Sequence, residues 1–129
     1  MEELNVMNVL ITDIHSGWLK FTVENHSFCV SYLSDFNDDI NDLLDLPNGD
    51  IAIKRIMLDG EGKELYLSAW RVYDELFIVW EEYSNSRILD IMQFQYEEFK
   101  AAYEAQFKIN EQKYNKHFLM TENDNLIKK

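Results

Sequence analysis

The stretch Arg87-Ile88-Leu89-Asp90-Ile91-Met92-Gln93-Phe94-Gln95-Tyr96-Glu97-Glu98-Phe99-Lys100-Ala101-Ala102-Tyr103 changes period in its middle. Arg87 to Phe94 reads as a strand, the last of a series. From Gln95 onward Tyr96, Phe99, Tyr103, Phe107, Tyr114 and Phe118 recur at spacings of 3, 4, 4, 7 and 4, with Glu97, Glu98, Lys100, Glu104, Lys108 and Glu111 elsewhere. That spacing predicts one amphipathic helix over roughly residues 95–117, with an aromatic seam that lies across a sheet face. Strands followed by such a helix place the chain in the α+β class.

Working back from that switch, strands are expected at Val6 to Ile14, Gly17 to Glu24 and Ser27 to Leu33, separated by the turn clusters His15-Ser16-Gly17 and Glu24-Asn25-His26. Further strands run from Ile51 to Leu58, Glu64 to Val72, Leu76 to Tyr83 and Arg87 to Phe94, the first two flanking the hairpin signal Asp59-Gly60-Glu61-Gly62. Leu76-Phe77-Ile78-Val79-Trp80 has no polar alternation and reads as a central strand buried on both faces. The expected architecture is an antiparallel meander of about seven strands with a short acidic helix after the third. The long C-terminal helix packs on that sheet. Residues 1–120 form a single domain and 121–129 a frayed tail.

Apolar residues make up 47% of the 129 residues and aromatics 14%, with one Pro and four Gly, a composition that argues against disorder. No apolar run approaches a membrane span, and the acidic start Met1-Glu2-Glu3 argues against a signal peptide. A single cysteine, Cys29, forms no internal disulfide and fits a reducing cytoplasm. The net charge is −12, with 21 acids and 7 Lys or Arg in residues 1–107 but 3 and 5 in residues 108–129. An acidic body repels nucleic acid and anionic membranes and speeds encounter with cationic partners.

Catalytic signals are sparse. His15 and His26 lie in turns and His117 near the end of the last helix, none at a zinc-ligand spacing. Cys29 alternates with Ser27 and Ser31 in a strand, where a small core filler is the expected role. Gly60 and Gly62 sit among acids and would repel a phosphate. Trp18, Trp70, Trp80, Tyr66, Tyr73 and Tyr83 belong to strands or turns and are read as core. Without basic neighbours they are a poor nucleobase platform, but any exposed rings would make protein-binding hot spots. The expectation is a non-enzymatic domain without metal or other cofactor.

Between Ser34 and Asp50 there is no cation, and Asp35, Asp38, Asp39, Asp42 and Asp45 fall within about 120° of one face of a helix that ends near Leu46, before Pro47. Phe36, Ile40, Leu43 and Leu44 occupy the other face, and Asp50 lies just beyond. Asp35, Asp38 and Asp39 suit a helix N-terminus, whereas Asp42 and Asp45 oppose the dipole and repel their neighbours, costing ~1 kcal/mol together. A row kept against those costs points to a basic protein partner. Calcium fits poorly, because the spacing lacks the central Gly and terminal Glu of an EF-hand loop.

The arrangement Cys29-Val30-Ser31-Tyr32-Leu33-Ser34-Asp35-Phe36-Asn37-Asp38-Asp39-Ile40-Asn41-Asp42-Leu43-Leu44, strand then short acidic helix, with hairpin strands around Asp59-Gly60 and Trp70, resembles the small acidic immunity proteins of bacterial polymorphic and contact-dependent toxin systems. The resemblance implies a cytoplasmic inhibitor that occludes the active site of a cognate toxin, possible nucleases with cationic clefts included. Two other readings stand beside it. One is a homo-oligomeric or adaptor module using the sheet's rings or an edge strand, a homodimer among its forms. The other is a small-ligand protein with a pocket between sheet and helix.

Overall fold

All seven strands form, close to their expected bounds, but in two sheets. The computed structural model describes residues 8–15, 17–31, 33, 35–48, 52–60 and 62–127, with side chains up to residue 116. The first sheet has the order β1 (Val9–His15), β2 (Trp18–Val23), β3 (His26–Val30). After α1 (Phe36–Leu43) comes a second sheet, β4 (Ile53–Asp59), β5 (Glu64–Val72), β6 (Glu75–Glu82) and β7 (Arg87–Gln95), and then α2 (Tyr96–Ile127). Every pairing is antiparallel.

The expected single seven-stranded meander is therefore corrected to three strands plus four. The break falls where α1 intervenes. Instead of pairing along β4, β3 crosses one end of the second sheet. His26 Nε2 lies 2.8 Å from Asp90 of β7, and at the other end of β3 the Ser31 amide donates to the carbonyl of Asp59 in β4 at 2.8 Å. The five steps from His26 to Ser31 reach ~17 Å, and the three gaps from β7 to β4 span ~14 Å, so β3 runs across the strands of the second sheet and not along them. Gly60 makes the crossing possible. A Cβ there would stand 2.8 Å from the Cys29 carbonyl oxygen and from the Phe28 ring.

The core lies between the two sheets and the two helices. Val9, Ile11, Leu19, Phe21 and Val23 face it from one side, and Leu58, Leu65, Leu67, Ile78 and Trp80 from the other. Its void beside Trp80 and Phe99 holds about one water molecule at most. The Trp80 indole N–H is buried without a hydrogen-bond partner among the described residues.

The long helix begins where the period changes and runs to Ile127. Tyr96, Phe99, Tyr103 and Tyr114 are buried and Phe107 is half-buried, so the aromatic seam is real. It spans more than one sheet face, touching β1 as well as β6 and β7. The Gln106 side-chain oxygen accepts the Ile11 amide at 3.0 Å, which satisfies a donor on the open edge of β1.

The seam's hydroxyls do a second job. An eight-residue helix is marginal by itself, and Asp35, at the N-cap of α1, makes no side-chain capping bond. Tyr114 substitutes for it. Its hydroxyl accepts the Asn37 amide at 3.3 Å and donates to the Leu33 carbonyl, while the Tyr103 hydroxyl donates to Asn37 Oδ1 at 2.8 Å. At the far end the Tyr96 hydroxyl donates to the Leu44 carbonyl at 2.5 Å. Arg71, its guanidinium 3.9 Å above the Tyr96 ring, donates to the Leu46 and Tyr73 carbonyls and fixes the chain leaving α1.

Candidate protein-docking surfaces

Alternation along the second sheet sends Ile56, Leu58, Leu65, Leu67, Leu76 and Ile78 into the core and their neighbours outward. The register arranges the outward residues in three rows: Ile53, Trp70, Phe77 and Gln93; Arg55, Ser68, Val79 and Ile91; Met57, Tyr66, Glu81 and Ile88. No described element covers them. Ile53 is 67% exposed, Ile91 58% and Ile88 56%. Trp70 and Phe77 stack at 5.2 Å between centroids, and Tyr66 meets Tyr83 edge-on at the same distance. The Arg55 guanidinium sits 3.8 Å over the Tyr66 ring and donates to Glu81 at 2.9 Å.

Leu76 to Trp80 is thus central but buried on one face, not on two as expected. Leu76, Ile78 and Trp80 enter the core, while Phe77 and Val79 are half-exposed on the open side. Among the aromatics expected as core, Trp80 alone is fully buried; Trp18, Trp70 and Tyr66 are half-buried, and Tyr73 and Tyr83 are exposed. Acids close both ends of the outward face. Asp59 and Glu64 pair beyond the Met57 row, and Glu75 follows the Trp70–Phe77 row. With Glu81, four carboxylates stand against one guanidinium, which Glu81 already holds.

The aspartates of α1 form a second acidic surface. Asp35, Asp38, Asp42 and Asp45 are exposed, Asp39 is half-buried, and Asp50 lies outside the described residues. Asp38 and Asp39 occupy the favourable first turn. The expected penalty at the other end is reduced. The helix stops at Leu43, so Asp45 lies beyond it, and Asp42 is 3.3 Å from the Lys54 ammonium in an exposed pair worth at most ~1 kcal/mol. What singles out these residues is their fixed, solvent-facing placement, not a local energetic cost. Their charge is felt inside the fold. Burial raises the Tyr103 phenol far above its ordinary 10.0, with Tyr114 and Asp38 adding to the effect. Burial likewise raises Tyr114; the bond from the Asn37 amide opposes this, and Asp38, Asp35 and Asp39 reinforce it.

On the outer side of the first sheet Asp13, His15, Trp18, Leu19, Lys20 and Cys29 line an open groove. Cys29 is exposed and sits opposite Lys20 in the ladder, so the expectation of a core filler is wrong. Its alternation partners Ser27 and Ser31 had marked that face as wet. His26 pairs with Asp90 and lies tilted against the Trp80 ring as a structural contact, and the side chain of His117 lies outside the described residues. Among the described residues no group of His, Cys, Asp and Glu is placed to hold a metal ion, and no helix is long and apolar enough to cross a membrane.

The sequence allowed for exposed rings on the sheet as a contact but did not identify which residues form the open face. Its signals were the alternation of Ile53, Arg55 and Met57 with core residues and the unbroken Leu76–Trp80 run. Comparison with known proteins adds no relative: no family model matches the chain, and neither a curated protein nor a solved structure shows significant similarity to it.

Proposed function

We propose that this chain is a non-enzymatic protein-binding domain that neutralises a basic protein, in the manner of the immunity proteins its arrangement resembles. The observation that carries the reading is the fastening of α1. Three tyrosines of α2 hold its two ends, so Asp35, Asp38, Asp42 and Asp45 stand in a fixed array before any partner arrives. An acidic surface that needs no ordering on binding loses less entropy in association, and a net charge of −12 steers a cationic partner toward it. The partner is a toxin domain with a cationic active-site cleft, and the acids occlude that cleft.

The test uses the gene immediately upstream. Its C-terminal domain, produced alone in a bacterial host, should arrest growth, and co-production of this chain should relieve the arrest. Both proteins accumulating in soluble form while growth stays arrested would overturn the reading. So would an upstream product with no effect on growth. A second reading, self-association through the sheet, draws on the exposed rings of β4–β7.

A further inference from the structure

We infer that the outward face of β4–β7 is the docking surface for a basic protein, the partner's apolar anchor entering the rows around Trp70 and its Lys or Arg side chains meeting the acids at the ends. This rests on the reading of the chain as a protein-binding domain and assigns that domain its main contact. Four observations carry it. The face is largely apolar and carries its rings on the two inner strands, β5 and β6, with Trp70 stacked on Phe77, while Ile53, Ile88 and Ile91 are each more than half exposed. Trp, Tyr and Arg anchors at the middle of a patch are the usual seat of binding energy.

The patch is also large for a free surface. Four strands at ~4.8 Å and three rows about 6.6 Å apart cover roughly 300–400 Å², comparable to the largest apolar patch of a typical monomer. A standard interface takes about 800 Å² from each partner, so a protein seated on the rows must extend over their ends. Those ends are acidic. Asp59 and Glu64 lie at one and Glu75 at the other.

Charge then selects the occupant. The described outward residues carry four carboxylates and a single guanidinium, and Arg55 is already committed to Glu81 and to the Tyr66 ring. A second copy would bring the same acids against these. A basic protein turns each of them into an attraction, with like-charge contacts rejecting the wrong partner.

The experiment uses the full chain with the upstream-encoded C-terminal domain as probe. Ile53→Arg and Ile91→Arg place cations on exposed strand positions, where folding tolerates them, and circular dichroism with urea unfolding verifies that it does. Each should weaken binding by at least about 30-fold, the loss expected of a hot-spot contact. Hydrogen exchange should place the footprint on β4–β7. Binding of the probe with a footprint elsewhere and both variants at wild-type affinity overturns this surface and leaves the neutralising function standing. No binding of the probe to the wild type overturns the function and the surface together. A wild-type dimer in sedimentation that either variant dissociates also overturns the inference, because the face would then belong to a second copy.

Discussion

Replacing Tyr114 with Phe deletes one oxygen that serves two backbone groups. The hydroxyl takes the Asn37 amide, a donor in the first turn of α1, and gives its proton to the buried Leu33 carbonyl. Losing a helix N-cap costs about 1 kcal/mol, and stranding a buried carbonyl costs about 1–3 kcal/mol. The ring stays in place, so no cavity term adds. The sum is roughly 2–4 kcal/mol, a sizeable share of the ~6–19 kcal/mol expected for a chain of this length. With a urea slope of about 1.5 kcal/mol per molar, the midpoint should fall by roughly 1.3–2.7 M. Urea unfolding followed by tryptophan fluorescence reads the shift, and hydrogen exchange at the Asn37 amide should accelerate with it. Tyr73→Phe, on an exposed turn, is the control and should move the midpoint little. A Tyr114→Phe midpoint no lower than that of the control, with Asn37 still protected, refutes the clamp.

Two further outcomes follow from the same structure. Tyr103 and Tyr114 have raised phenol pKa values in the fold, so above 10.0 the unfolded chain releases protons that the folded chain keeps. The contribution of these phenols to stability should therefore be constant below that pH and fall above it, by up to ~1.4 kcal/mol per pH unit for each, and Tyr103→Phe should make the fall shallower; urea midpoints that hold steady from about pH 10 upward contradict this. Exposed Cys29 should react with a disulfide reagent in the native protein as fast as a free thiol does, whereas reaction only after denaturation would place it in the core.

Local period explains what the sequence made legible. Runs of strand-favouring residues bounded by turn clusters gave all seven strands, and the shift to helical spacing at Gln95 gave the start of α2 within a residue. Alternation also states which residues share a face, but not what covers that face. Phe77 and Val79 look the same in sequence whether a helix or solvent lies above them. Whether β3 would pair along β4 or cross it depended on Gly60 admitting the Cys29 carbonyl, a contact between residues about thirty apart. The tyrosine clamp was hidden for the same reason. Helical spacing put Tyr96, Tyr103 and Tyr114 on one side of α2, yet their hydroxyl partners lie 52 to 81 residues away in the chain. In the candidate surface, the aspartate row was visible as composition, while its rigidity and its neighbouring sheet face came only with the fold.

The open face and the acidity explain each other. A flat apolar sheet surface left to itself is an aggregation site, and natural sheets guard such surfaces with charge. Here the guards are predominantly of one sign: Asp59, Glu64, Glu75 and Glu81 around the rows against Arg55, which Glu81 holds, and a body of net charge −14 over residues 1–107. Mixed charges would keep copies apart only weakly, since a rotated copy could match opposite signs. A single sign leaves a second copy no favourable orientation of those acids, and leaves a basic surface many. The residues that keep the protein from associating with itself are the ones that define what it can bind. Solubility and partner choice are thus a single property of this sheet.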